Sequence, residues 1–142
     1  MICYKKQIVL LNITLLINFN IFSDCLIGNC SSGYGSAIFP KGDYYSGSWK
    51  NGKAEGKGIL KYKDGGVYSG DWREGKADGQ GTMVYSDGSK YEGSWKASLA
   101  HGIGTMYDVD GTVIYTGLWN YGKMMDLSIS SEKNLAQKEV KN

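Results

Sequence analysis

Three stretches of the chain have the residue spacing of a phosphate-binding loop. Gly47–Lys53, Gly70–Lys76 and Gly117–Lys123 each read G-x-x-x-x-G-K, the spacing with which backbone N–H groups and a lysine cradle nucleotide phosphates. That chemistry also needs a serine or threonine after the lysine to hold Mg²⁺, and a helix that begins there. Alanine or methionine follows each lysine instead, and the flanking residues have strand character. The three stretches are therefore predicted to be turns.

The other candidates for chemistry are a single histidine and a recurring aspartate. His101 has no serine, cysteine or aspartate nucleophile at a recognisable motif spacing, so a role as general base is not expected. Aspartate precedes glycine at Asp64, Asp87 and Asp110. This pair is typical of tight hairpin turns, and calcium binding would need a denser set of oxygen ligands. The sequence therefore predicts no enzyme, no catalytic residue, no metal site and no cofactor.

Tyrosine and tryptophan recur at a regular step and define an internal repeat. The recurring residues are Tyr45, Trp49, Tyr68, Trp72, Tyr91, Trp95, Tyr115 and Trp119, 23 or 24 residues apart within each type. In every unit tyrosine, glycine and tryptophan alternate, as in Tyr45, Gly47 and Trp49, which places all three on one face of a strand. A second strand continues the alternation from Gly56 to Tyr62. Glycine within a strand indicates the close approach of a bulky group, here the neighbouring rings.

Turn residues separate these strands. Asn51-Gly52 closes the hairpin of a unit and Asp-Gly precedes the next unit, and both pairs supply the positive φ of tight turns. The sequence predicts an all-β fold, an elongated single-layer antiparallel sheet of tandem β-hairpins that stabilise one another. The array is expected to open at Gly33 with a half unit that lacks its first strand. In the third unit Ser98 and Leu99 replace the usual glycine and lysine, so its turn is expected to be longer or reshaped.

The repeat unit resembles that of the MORN (membrane occupation and recognition nexus) family, Y-x-G-x-W-x-x-G-K-x-x-G-x-G. The units that begin at Tyr45 and Tyr68 match this pattern in full. The third unit departs at its turn, and the fourth lacks the closing G-x-G after Lys123. The resemblance extends from Gly33 to about Lys123. It implies a repeat scaffold for protein contacts and, in some members, for contact with membrane phospholipid.

The N-terminal residues differ in kind from the array. Lys5 and Lys6 precede 17 uncharged residues rich in Ile, Leu, Val and Phe, which is the pattern of a signal peptide. Cleavage after Ser23 is predicted, with a retained anchor or lipid attachment at Cys25 as the alternatives. The chain therefore divides into a signal peptide (1–23), a cysteine-containing N-terminal cap (24–32), the MORN repeat array (33–123) and a polar C-terminal tail (124–142).

Two cysteines lie close together at the start of the predicted mature chain. Cys25 and Cys30 are separated by five positions, and a disulfide between them is predicted because exported proteins meet an oxidising compartment. Removal of the leader leaves 14 basic residues against 14 acidic ones. A neutral chain lacks the electrostatic pattern of nucleic-acid binders, so nucleic acid is rejected as a partner.

The eight recurring aromatic residues form the candidate binding stripe. They are expected to be the core of the thin sheet, or to leave part of the stripe open as a groove for a protein segment, a lipid headgroup or a sugar. The predicted function is a non-enzymatic protein-interaction or structural scaffold. The predicted location is exported, whether periplasmic, envelope-associated or extracellular. Binding to membrane lipid or envelope glycan, or service as an accessory or inhibitory subunit of another enzyme or toxin, are the alternatives, and the oligomeric state is left open.

Overall fold

The computed structural model describes residues 24–125, which form one open antiparallel sheet of ten strands. The strands are β1 (Asp24–Gly28), β2 (Gly33–Ile38), β3 (Tyr44–Lys50), β4 (Lys53–Lys61), β5 (Val67–Arg73), β6 (Lys76–Val84), β7 (Lys90–Lys96), β8 (Leu99–Tyr107), β9 (Val113–Asn120) and β10 (Lys123–Met124). Each strand pairs with its neighbours in the chain, so the sheet order is the chain order. The predicted all-β fold, a single layer of tandem hairpins, is confirmed.

The predicted signal peptide, residues 1–23, and the predicted tail from residue 126 onward lie outside the described residues. Within residues 24–125, no helix has the length and apolar character needed to span a membrane.

The turns within the repeat units, from β3 to β4, β5 to β6, β7 to β8 and β9 to β10, are each closed by two residues with positive φ. Asn51 and Gly52 have φ angles of 50° and 73°, as in the primed turns that two-residue hairpins favour. The expectation that the third turn is longer or reshaped is wrong, since Ala97 and Ser98 close it with φ angles of 49° and 66°. The flanking strands pair there in the same register as in the earlier unit. Alanine and serine therefore hold a conformation that favours glycine or asparagine.

Replacing Ala97 with asparagine is expected to raise the free energy of unfolding by about 0.5–1 kcal/mol. Asparagine tolerates the left-handed conformation better than alanine does, and Asn51 holds the same position in the first complete hairpin. Urea unfolding followed by circular dichroism measures the change. Lys96→Asn, one residue earlier and still within β7, is the matched control and should give no gain. An equal gain in both variants would show that strain in the turn is not the cause.

A bulge in the second strand of each complete hairpin sets the register between its strands. Gly47 pairs with Gly58 and Trp49 pairs with Ala54, so three residues of β4 lie opposite one residue of β3. Gly56, within the bulge, has a φ of 80°. The same irregularity occurs in β6 and β8. The bulge places a small alanine opposite each of these tryptophans, and this leaves room for the indole ring.

The first edge of the array is covered by the predicted cap. β1 pairs with β2 from Asp24 opposite Ile38 to Gly28 opposite Gly35. The expectation that the opening half unit lacks its first strand is therefore wrong, because cap residues supply that strand. A disulfide joins Cys25 of β1 to Cys30 in the following loop, with Cα atoms 5.9 Å apart.

The strand pair β8–β9 accommodates the one extra residue of the fourth unit as a bulge. Tyr107 pairs with Val113 and Met106 pairs with Tyr115, which leaves Ile114 as a bulge in β9. β10 is only two residues long and pairs Met124 with Trp119 of β9. The aromatic positions of the fourth unit thus stay in register with those of the units before it.

Candidate binding surfaces

The recurring tyrosines and tryptophans form one continuous ladder along a single face of the sheet. Tyr45 packs edge-on against Trp49 of its own unit and against Trp72 of the next, with ring centroids 5.1 Å apart in both contacts. The other contacts of the ladder have centroid separations of 5.0 to 5.5 Å. Edge-to-face aromatic pairs contribute stability beyond the area that they bury. The ladder therefore joins each repeat to the next.

A row of glycines lies directly beneath the tyrosine rings. The row crosses β2 to β9 at paired positions, Gly35, Gly47, Gly58, Gly70, Gly81, Gly93, Gly104 and Gly117. A Cβ atom at Gly81 would lie 2.6 Å from Cζ of Tyr68, a distance that real Cβ atoms do not show. The φ of Gly81 is not positive, so ring contact rather than backbone conformation requires glycine there. The prediction that these glycines make room for aromatic rings is confirmed.

The polar tips of the rings are satisfied by backbone carbonyl groups. Nε1 of Trp49 donates a hydrogen bond to the carbonyl of Gly35 at 3.0 Å, and the other three tryptophans make the equivalent bond. The Tyr45 hydroxyl donates to the carbonyl of Ser48 at 3.0 Å. Burial raises the pKa of Tyr45 and Tyr91 to about 12, because the charged phenolate is poorly solvated there. Satisfied tips allow the rings to serve as a core.

The candidate binding stripe is thus the core of the sheet. Seven of its members are buried, and the eighth, Tyr115, is half-buried. The buried residues are Tyr45, Trp49, Tyr68, Trp72, Tyr91, Trp95 and Trp119. The exposed edges of these rings nevertheless form the floors of two grooves, which have volumes of about 410 and 300 Å³. The larger one, called here the aromatic groove, lies over Trp72 and Trp95 and is bordered by Leu60, Tyr62, Met83 and Tyr85. That the stripe binds a partner stays a prediction.

A second concave surface lies on the opposite face of the sheet. This glycine trough has a volume of about 620 Å³ and runs across the strands. Its floor is Gly47, Gly58, Gly70, Gly81 and Gly93. One wall is formed by Ser46, Ile59, Ser69, Thr82 and Glu92, and the other by Tyr34, Lys57 and Gln80. The trough lies between the two rows of side chains that flank the glycine row, because the Cβ positions of these glycines point to the aromatic face.

The charged side chains of the trough are paired within the protein. Lys57 Nζ lies 2.7 Å from Oδ1 of Asp71, and Lys90 Nζ lies 2.9 Å from Oε1 of Glu92. The hydrogen bond from Lys57 lowers the pKa of Asp71, and that from Lys90 lowers the pKa of Glu92. Both carboxyl groups are therefore ionised opposite a cation. The trough as a whole presents hydroxyl and amide groups together with internally neutralised charges.

Each G-x-x-x-x-G-K stretch includes a hairpin turn together with the strand ends that flank it, and the recurring aspartates lie in the turns between units, as predicted. The lysine of the first G-x-x-x-x-G-K stretch, Lys53, forms an ion pair with Glu74 of the next hairpin at 2.5 Å. Asp64, Asp87 and Asp110 each accept a hydrogen bond from the backbone N–H two residues on, at 2.9 to 3.1 Å. Such local bonds stabilise aspartate in tight turns. The motifs thus hold the hairpins together.

The single histidine, His101, lies at a repeat position whose side chain contacts the turn of the next unit. In the first two complete units a carboxylate at this position accepts a hydrogen bond from the next turn, Glu55 from Glu74 N–H at 3.0 Å and Asp78 from Ala97 N–H at 3.4 Å. In the third unit the His101 ring packs against Tyr121, with centroids 4.6 Å apart. Ring contact replaces the hydrogen bond, and Nδ1 of His101 has no partner among the described residues.

The walls of the glycine trough were missed by sequence reasoning. They lie between the recurring tyrosine, glycine and tryptophan, where the residue type varies from unit to unit, as in Ser46, Ser69 and Glu92. The available signal was that polar residues recur at these alternate positions. Their convergence depends on cross-strand pairing, for example of Ser69 with Thr82, and a single repeat does not contain that information.

A single layer of similar hairpins, joined through their rings and open on two faces, defines an elongated repeat scaffold. The family model for the MORN repeat matches three consecutive stretches, residues 45–67, 68–90 and 91–113. The chain is a MORN repeat-containing protein. These repeats are generally modules of protein or membrane interaction. A comparison with curated proteins found no match.

Proposed function

We propose that this protein is an exported, non-enzymatic scaffold that binds a protein partner through the aromatic groove. The observation that carries the proposal is the composition of that groove. Its lining combines aromatic, methionine and aliphatic side chains and includes no charged residue. Enrichment in tyrosine, tryptophan and methionine, with depletion of charge, is typical of the buried centre of protein interfaces.

The exposure of the groove rim supports contact with a partner. Tyr62 and Tyr85 each keep 36% of their surface exposed, although their neighbours Leu60 and Met83 pack against the core. A rim tyrosine can bury its ring on binding and keep its hydroxyl hydrogen-bonded. The floor beneath is held by the ladder, so a partner would meet a preorganised surface and lose little entropy in ordering it.

Export is proposed from the N-terminal residues. The charged start and apolar run of residues 1–23 have the pattern of a signal peptide. The disulfide between Cys25 and Cys30 is a bond that persists in oxidising compartments. The absence of catalysis is proposed because the groups that could do chemistry have structural contacts: His101 packs on Tyr121, and the aspartates of the turns bind backbone.

Photocrosslinking in the host tests this proposal. Tyr85, on the rim of the aromatic groove, is replaced by p-benzoylphenylalanine in the full chain. Tyr34, an exposed aromatic residue on the opposite face, receives the same replacement as the matched control. We expect position 85 to form a single protein adduct and position 34 to form none. The adduct should be recovered in the exported fraction.

The other outcomes separate the alternatives. Equal adducts from both positions, or none from position 85, would contradict protein binding through the groove. An adduct from position 85 that extracts into organic solvent would favour membrane lipid instead. A protein adduct confined to the cytosolic fraction would contradict export.

A further inference from the structure

The glycine trough is a binding site of a different character from the aromatic groove. We propose that it binds a neutral, extended, β-linked polysaccharide. This inference is independent of the protein-binding proposal, because the two surfaces lie on opposite faces of the sheet and share no side chain.

The hydrogen-bonding groups of the trough suit sugar hydroxyls. Ser69 and Thr82 face each other across β5 and β6, and a hydroxyl both donates and accepts hydrogen bonds. On the opposite wall, Nε2 of Gln80 donates to Oγ of Ser94 at 2.8 Å, which orients the amide. The floor is glycine backbone whose strands are already paired on both sides. A ligand must therefore bind through side chains, and an extended peptide would find no free strand edge there.

The electrostatics of the trough favour an uncharged ligand. Its lysine and glutamate walls are occupied by ion pairs with Asp71 and Lys90. A phosphate or a polyanion would need free cations, and an ammonium group would need a free carboxylate. A neutral sugar can bind to the serine, threonine and glutamine groups without breaking either pair.

The dimensions of the trough match a polymer of sugars more closely than an extended peptide. Neighbouring strands lie about 4.8 Å apart, so the five floor glycines, Gly47 to Gly93, cover about 19 Å. An extended β-linked glycan advances by about one strand spacing per sugar, so successive sugars would lie over successive strands of the floor. An extended peptide advances by about 3.3 Å per residue and falls out of step with the walls.

An exposed aromatic ring closes one end of the polar walls. Tyr34 keeps 69% of its surface exposed, and its hydroxyl lies 3.2 Å from Oγ of Ser46, which holds the ring at the wall. The C–H face of a sugar can stack on such a ring, as apolar faces generally do on aromatics. Beyond the other end, Ile103 pairs with Leu118, so the wall that carries Lys57 and Gln80 becomes apolar there.

Isothermal titration calorimetry of the full chain with cellohexaose and chitohexaose tests the proposal. The wild-type protein is expected to bind at least one of these neutral hexasaccharides. Ser69→Arg, which places a long side chain in the trough, is expected to weaken binding about ten-fold or more. Tyr34→Ala removes the stacking ring from the surface and is expected to weaken binding by a similar factor.

The matched control is Ser86→Arg, which makes the same change in an exposed turn where the preceding unit has Lys63. It should leave the affinity unchanged, and circular dichroism checks that all three variants are folded. Failure of the wild-type protein to bind either sugar would overturn the proposal. Binding that survives both Ser69→Arg and Tyr34→Ala would also overturn it. Binding of an unstructured Gly-Ser peptide in place of the sugars would assign the trough to a protein ligand.

Discussion

Replacing Trp72 with alanine is expected to lower the free energy of unfolding by about 3–5 kcal/mol. The ring is 92% buried, since only 8% of its surface is exposed. It also bridges two repeats, with centroids 5.1 Å from Tyr45 and 5.2 Å from Tyr68. Its Nε1 donates to the carbonyl of Gly58 at 3.1 Å. Removal therefore leaves a cavity, opens two ring contacts and removes one hydrogen bond.

The effect should spread along the array, because each hairpin is stabilised mainly by its neighbours. Urea unfolding followed by far-ultraviolet circular dichroism measures the loss, and this signal does not depend on the missing indole. Tyr34→Ala removes an aromatic ring that is 69% exposed and is expected to change stability by about 0.5 kcal/mol or less. If the two variants lost the same stability, the ladder could not be the core of the protein.

Replacing Gly81 with alanine is expected to lower the free energy of unfolding by about 3 kcal/mol, which is at the upper end of the usual effect of overpacking. The added methyl group would lie 2.6 Å and 2.7 Å from the Cζ and Cε2 atoms of Tyr68. The tyrosine cannot easily move away, because its ring packs between Trp72 and Trp95. Its hydroxyl is held as well, by a hydrogen bond to the carbonyl of Asp71 at 3.0 Å.

A double-mutant cycle with Tyr68→Leu identifies the cause of this cost. Leucine lacks the outer ring atoms, so Gly81→Ala should lower the free energy of unfolding much less in the Tyr68→Leu variant than in the wild-type protein. The expected coupling free energy between the two substitutions is about 2 kcal/mol. Gln80→Ala, at the next residue but on the opposite face, is the control and should have a small effect. Additive losses in the cycle would mean that the glycine row serves some purpose other than ring packing.

The sequence predicted the repeat, the hairpins and the composition of the core. These features are local in origin: alternation of Tyr45, Gly47 and Trp49 assigns one face of a strand, and Asn51-Gly52 specifies a two-residue turn. The third turn was mispredicted for the same reason. The dipeptide Ala97-Ser98 has no intrinsic preference for positive φ, and the pairing of the flanking strands imposes that conformation on it.

The candidate sites were less accessible to sequence reasoning than the fold. The aromatic residues could be identified from their type and spacing. Which of them are buried in the ladder and which lie on the groove rim depends on the contacts between rings of different strands. The polar walls of the trough did not stand out at all, since Ser46, Ser69 and Gln80 are ordinary surface residues in any one strand. Their significance comes from their alignment into two walls, which forms only when the strands pair in register.

The sequence by itself determined that this protein is a one-layer array of hairpins with an aromatic face, because strand alternation and turn conformation follow from neighbouring residues. Only the tertiary structure decided that Tyr45 of one unit packs against Trp72 of the next, that β1 covers the first edge, and that a glycine-floored trough crosses the other face. These features depend on the register between strands. A bulge around Gly56 shifts that register and brings Ala54 opposite Trp49, a pairing that exists only once the two strands meet.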